Sequence, residues 1–173
     1  MENNTKIHVG IDNSLSGAVA AIDANSGDVI DWIPMPVRLD ADKDKEVDLG
    51  KIEQFIHNLP CDDYCNDVII TLEKPYMFSK GSKAMQTMWY CYGMIKGRFE
   101  HSDYEFYTIN PTKWQNAILG TFSSGQSKAV AEAKVLELHG CVFGKTKVIR
   151  GGVHDAMLIA EYQRRAFNKS GRL

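Results

Sequence analysis

The sequence predicts an α/β protein: a mixed sheet with an antiparallel three-strand meander at one edge and parallel strands at its centre, flanked by helices. Three observations carry that reading. Three short apolar runs separated by turn residues open the chain, a continuous β-branched run follows the first helical pattern, and helical spacing dominates from residue 83 onward. At 173 residues and 44% hydrophobic content, one sizeable core is within reach, so a single domain over 1–173 is expected. No internal repeat or low-complexity stretch interrupts it.

Ile7, Val9 and Ile11 alternate with Lys6, His8 and Gly10, predicting a half-buried strand that ends on Asp12. A loop over 13–16 leads to a second strand over 17–22. Asn25, Ser26, Gly27 and Asp28 then form turn chemistry before a third strand over 29–33. Pro34, Pro36 and the charged run 40–48 read as a loop. Ile52, Phe55, Ile56 and Leu59 recur at helical spacing and stop at Pro60. The run 68–72 shows little alternation, as expected of a strand covered on both faces, and also ends on a carboxylate, Glu73. The longest helix is predicted over 83–99. A short strand over 106–109 is followed by Asn110 and Pro111, an N-cap and a proline at the first helical position of a short helix to Leu119. A helix over 127–138 stops at Gly140, and Gly151 and Gly152 are expected to open the last helix, running from His154 to about Phe167.

No apolar stretch is long enough to span a membrane, and the first ten residues lack the pattern of a secretory signal, so a cytoplasmic protein is expected. Cys61, Cys65, Cys91 and Cys141 are unevenly spaced and read as free thiols. His57, Cys61 and Cys65 fall four apart, but Pro60 interrupts the helix that would align them, so thiols are favoured over zinc ligands. The net charge of −2 conceals an asymmetry. Residues 1–73 carry 5 basic and 15 acidic side chains, a net of −10, and residues 74–173 carry 15 and 7, a net of +8. The second part is suited to face a polyanion, although an acidic loop balanced by solvated lysines explains the same numbers.

Asp12 and Glu73 both close strands, and functional groups in open α/β sheets gather beyond the carboxyl ends of strands. Asp155 lies near the start of the last helix. If that helix packs over the same edge, three carboxylates converge into the hard oxygen environment that Mg²⁺ or Mn²⁺ requires. Each acid alone has a structural explanation: Asp12 capping a turn, Glu73 pairing with a lysine, Asp155 complementing a helix dipole.

Their order along the chain carries a specific resemblance. VGIDNSLSGAVAAID resembles the opening hairpin of the RuvC family, VIITLEKPYMF its second motif with a catalytic Glu, and HDAMLIAEY its last motif, an Asp-Ala leading into an apolar helix. The resemblance spans nearly the whole chain and is closest to compact phage-type members. It implies a ribonuclease H-like fold and a structure-selective endodeoxyribonuclease that cleaves four-way (Holliday) junctions and related branched DNA. The implied chemistry is two-metal hydrolysis, with Mg²⁺ or Mn²⁺ held by Asp12, Glu73 and Asp155 and no organic cofactor. The family's fourth ligand, an Asp or His three residues before the last Asp, is Gly152 here. His154 is either its replacement or a capping or solvent-facing histidine.

Tyr76, with Phe78 as the other candidate, stands where such enzymes place an aromatic that stacks at an opened junction centre. Lys113 in NPTKWQ and Lys128 in GQSKA resemble the family's basic residues beside the cleft, and Ser127 with Lys128 at a helix start is suited to a phosphate. Lys74 and Lys80 follow as weaker DNA contacts. The stripe Met85, Met88, Trp89 and Tyr92 reads as core or, by the resemblance, as part of a homodimer interface. Competing readings are a ribonuclease H acting on RNA–DNA hybrids, a relaxed branched-DNA nuclease, a non-catalytic junction binder and an actin-like ATP-binding domain. The last needs two such domains to close over its nucleotide.

Overall fold

Gly10, Ala18 and Ala20 lie on the sheet face opposite Ile7, Val9 and Ile11, and this difference in side-chain size organises the molecule. The computed structural model describes residues 6–61, 67–76, 82–123 and 125–171. Strand β1 (Ile7–Asp12) pairs antiparallel with β2 (Ala18–Asp23), and β2 with β3 (Val29–Pro34). On its other side β1 runs parallel to β6 (Val68–Glu73), and β6 parallel to β7 (Glu105–Ile109), giving the order β3-β2-β1-β6-β7. This is the predicted mixed sheet, meander and parallel centre included.

On the bulky face, Ile7, Val9 and Ile11 join Val68, Ile70 and Leu72 in a core with α1 (Leu49–His57) and α2 (Lys83–Phe99). The other face meets α3 (Pro111–Ile118), α4 (Ser127–His139) and α5 (Lys147–Ser170). Period-two alternation therefore sends His8, Gly10 and Asp12 of β1, and Ile69, Thr71 and Glu73 of β6, toward the α5 side. The small residues let α5 come down onto the strands. A Cβ at Gly10 would lie 2.0 Å from the Ala156 carbonyl oxygen and 2.6 Å from the Ala160 nitrogen.

The last helix begins earlier than predicted. Thr146 caps it by accepting from the Ile149 N–H, and Gly151 and Gly152 lie within it rather than at its start. Glycine pairs ordinarily mark breaks because they raise the entropic cost of a helix. Here packing overrides that cost: a Cβ at Gly152 would fall 2.5 Å from the Ser16 carbonyl oxygen and 2.8 Å from Gly17. Asp155 consequently sits more than two turns inside α5. Asp48 likewise caps α1 ahead of the predicted apolar positions, through the Lys51 N–H.

The predicted 34–48 loop holds a second difference, a two-stranded hairpin of β4 (Val37–Leu39) and β5 (Lys45–Val47). Its turn is built by the Asp40 carboxylate, which accepts from the N–H groups of Asp42 and Asp44, while Lys43 adopts φ 64°. Arg38 pairs with Glu46 across the strands at 2.7 Å. The hairpin is tied to α2 by Lys83 with Asp44 (3.1 Å) and by the Tyr90 hydroxyl donating to Glu46 (3.2 Å).

The α2 stripe divides. Tyr92 is buried with Cys91, Ile95 and Phe99 in the chain's own core, whereas Trp89 and Tyr90 are 41% and 55% exposed and Met85 and Met88 half-buried. Cys61, Cys91 and Cys141 are free thiols; Cys65 lies outside the described residues, and with it the third member of the His57 spacing. Among the described residues no helix is long and apolar enough to cross a membrane.

Candidate active site

Because Ile11 pairs with Leu72, the next residues, Asp12 and Glu73, leave the sheet side by side on the face covered by α5. Asp155 lies beside Ala156, the residue whose backbone touches Gly10. Three acids from three distant chain segments are thus brought to one mouth of the sheet. Both strand acids are buried.

Each acid is held in its own way. Asp12 Oδ1 accepts from the Ser14 N–H at 3.1 Å, closing the tight turn after β1. Gly17 permits that turn, since a Cβ there would lie 2.2 Å from the Asp12 carbonyl oxygen and 2.8 Å from its carboxyl carbon. The buried Asn13 side chain donates through Nδ2 to the Glu73 carbonyl oxygen at 2.8 Å, stitching the end of β1 to the end of β6. The Glu73 carboxylate accepts from the indole N–H of the fully buried Trp114, at 2.6 Å to Oε1. Asp155 Oδ2 is met by the Lys128 ammonium, which also lies 3.5 Å from the Gly151 carbonyl oxygen.

The electrostatics follow from burial and crowding. Burial and then the Asp155 charge raise Asp12 to about 6, and burial with the Asp12 charge raises Glu73 to about 8 against the opposing Trp114 hydrogen bond. Burial also raises Asp155, with Lys128 acting against it. Burial draws the Lys128 ammonium down, but the attraction of Asp155, Asp12 and Glu73 outweighs it and holds the group above its ordinary value.

Among the described residues, no three acid, histidine or cysteine side chains stand close enough as they are to enclose a metal ion. In chemistry the donors nevertheless fit a hard divalent cation. They are carboxylate oxygens; burial is the largest cause of their raised affinity for protons, and the neighbouring acid charges add a negative potential that Lys128 opposes.

The remaining predicted residues separate clearly. His154 is buried and does not join the acids: its Nε2 accepts from the Phe143 N–H at 3.3 Å, about 100° around α5 from Asp155. It is therefore neither a cap nor solvent-facing, and burial lowers its pKa. Gly152 has no room for a ligand, because Ser16 and Gly17 fill the space. Tyr76 is 38% exposed, and its hydroxyl shares a 2.9 Å hydrogen bond with Thr112. It borders a pocket of about 150 Å³ together with Glu73, Trp114, Ser127, Lys128 and Asp155. Lys113 is exposed in an adjoining hollow of about 420 Å³ that Tyr76 also lines. Lys74 is half-buried and borders neither hollow; Phe78 and Lys80 lie outside the described residues.

Asn13, Gly17 and Trp114 belong to the site without having been singled out from sequence. The first two lie inside the motif around Asp12, where a small turn was legible. Trp114 reads only as an apolar helix position, and nothing local reveals that its N–H meets an acid 41 residues away.

No family model matches the chain, and no curated protein matches it by sequence. Among solved structures it is similar to RuvC of T. thermophilus in complex with a Holliday junction substrate, with a TM-score of 0.60 and 12% identity over 96% of this chain and 97% of that one. A second Thermus thermophilus RuvC structure gives a TM-score of 0.52 and 11% identity over the same shares. The likeness is one of fold and runs the length of both chains.

Proposed function

Proceeding from a RuvC-like fold with three carboxylates at one mouth of its sheet, we propose that the protein is a metal-dependent endonuclease acting on four-way and related branched DNA. The observation that carries this reading is that Glu73 and Asp155 line one pocket with Lys128 and the exposed ring of Tyr76, while Asp12 lies beside Glu73 at the adjoining strand end, within reach of the charge of Asp155. In this reading Asp12, Glu73 and Asp155 bind two Mg²⁺ or Mn²⁺ ions. When bound, such ions supply an activated water and steady the leaving oxygen of a phosphodiester. The Ser14 N–H steadies the Asp12 carboxylate. Lys128, released from Asp155, meets a phosphate oxygen together with Ser127, and Lys113 meets a neighbouring one. Tyr76 stacks on a base at the opened crossover. A homodimer through the exposed first half of α2, centred on Trp89, gives two opposed cuts.

The test compares cutting of four-way, flap and RNA–DNA hybrid substrates in Mg²⁺ and in Mn²⁺. Paired symmetric nicks in the four-way substrate are expected. Asp12→Asn, Glu73→Gln and Asp155→Asn should each abolish cutting while leaving DNA binding in place, because each removes a charged ligand. Preferential cutting of the hybrid would transfer the assignment to a ribonuclease H. A second reading, a junction binder without nuclease activity, is favoured by the Lys128–Asp155 pair and by Gly152. Tight junction binding without cutting in either metal would establish it.

A further inference from the structure

We propose that Trp114 is a positioning residue for this reaction: its indole N–H fixes the carboxylate of Glu73 so that Oε2 is the oxygen offered to a divalent cation. The proposal rests on the functional reading above and goes beyond it in assigning how one ligand is aimed.

The packing around Trp114 does not call for a nitrogen. The side chain is fully buried in a cluster with Ile109, Ile118, Ala131, Val135, Val153 and Met157, all of which an aromatic hydrocarbon would satisfy equally well. A buried indole N–H does call for an acceptor, and the one it has is Glu73 Oε1 at 2.6 Å, on a different element.

Seen from Glu73, the bond supplies what the sheet cannot. The backbone of Glu73 is fixed by pairing with Ile109 on β7 and by Asn13 donating to its carbonyl oxygen. Neither contact sets the side-chain torsions, and beside the like charge of Asp12 the carboxylate has reason to swing away. The Trp114 bond holds it in place and occupies one oxygen. Outer partners of this kind orient metal-binding side chains and typically change metal affinity or activity by about 10–100-fold when lost.

The same turn of α3 reaches the DNA-facing side, because Thr112 shares a hydrogen bond with Tyr76 while Trp114 bonds Glu73. One short helix thus sets the positions of the stacking aromatic and of the acid.

The deciding experiment replaces Trp114 with β-(3-benzothienyl)alanine, which keeps the shape of the indole but has sulfur in place of the N–H; Trp114→Phe is made alongside. Mn²⁺ alone is titrated into the full-length proteins by calorimetry, with Glu73→Gln as the reference, and junction cutting is followed in single turnover. The isostere should melt with the wild type, bind Mn²⁺ roughly 10–100-fold more weakly, and need correspondingly more Mn²⁺ for half-maximal cutting. Wild-type Mn²⁺ affinity in the isostere would overturn the proposal and leave Trp114 a packing residue, whatever happens to its melting temperature. A wild-type protein that takes up no more Mn²⁺ than Glu73→Gln would instead sink the metal-dependent reading itself, so the two failures are distinguishable.

Discussion

Two buried carboxyl groups side by side resist ionising together, and Asp12 and Glu73 make that conflict measurable. Their folded-state values, about 6 and about 8, lie above the ordinary 3.8 and 4.5 that the unfolded chain restores. The folded protein therefore holds more protons than the unfolded one across this window. Stability of the metal-free protein should fall as pH rises from about 4 to about 8, the opposite of a salt-bridged carboxylate. Thermal melts in a chelator should show the slope, and Glu73→Gln should flatten it. Mg²⁺ added near pH 8 should restore stability, because a ligand that binds only the folded state stabilises it. At this scale the sequence was most informative where residue type and strand position coincide. Asp12 and Glu73 were legible because each ends an apolar run, whereas the orientation of His154 depends on the Phe143 N–H, a loop contact that no spacing encodes.

At the level of elements, α5 shows why glycine patterns mislead when read locally. Gly151 and Gly152 have the form of a helix boundary, and only the closeness of the β1–β2 turn reveals that Gly152 is a packing surface inside the helix. The 34–48 segment misleads in the opposite way, since charge and proline read as loop while Asp40, Arg38 and Glu46 build a hairpin from polar contacts. The β1–α5 contact yields a sharp expectation. Gly10→Ala drives a methyl group into the Ala156 carbonyl, and overpacking of this kind costs about 1–3 kcal/mol. That corresponds to roughly 3–10 °C in Tm for a chain of this size. Cutting should fall further than DNA binding, because the displaced helix carries Asp155 but not Lys113. A Gly10→Ala enzyme that melts and cuts like the wild type would refute the close packing. At the other end of the mouth, Lys113→Ala should flatten the salt dependence of DNA binding by about one unit. Tyr76→Ala should leave that slope unchanged and reduce base unstacking, read with a fluorescent base analogue at the crossover.

For the whole molecule, the proposed function raises the question of how a chain of net charge −2 would hold DNA. The +8 segment supplies α3, α4 and α5, with Lys128 at the acidic mouth and Lys113 in the adjoining hollow, while the −10 segment supplies the meander, the β4–β5 hairpin and α1. Junction affinity should therefore drop steeply with salt as counterions are re-bound, checked by titration across ionic strengths. If the exposed part of α2 is the two-fold interface, Trp89→Glu should convert a dimer near twice 19.4 kDa to monomer in sedimentation, and the melting temperature should lose its dependence on protein concentration while the monomer stays folded, since Trp89 is not core. The overall topology was legible because strand runs and helical periods are local signals, but the distribution of large and small residues between the two sheet faces acquired meaning only once the order of strands was known. That distribution also bears on how the chain is made. Until α5 has emerged from the ribosome and docked, the sheet face it will cover is open to water; it presents Gly10, Ala18 and Ala20 beside the bulkier Ile22 and Ile69. A nascent chain at that stage has no assembled set of three acids, because Asp155 is carried by α5. Docking of α5 is then the step that both closes the core on that side and completes the three-acid mouth.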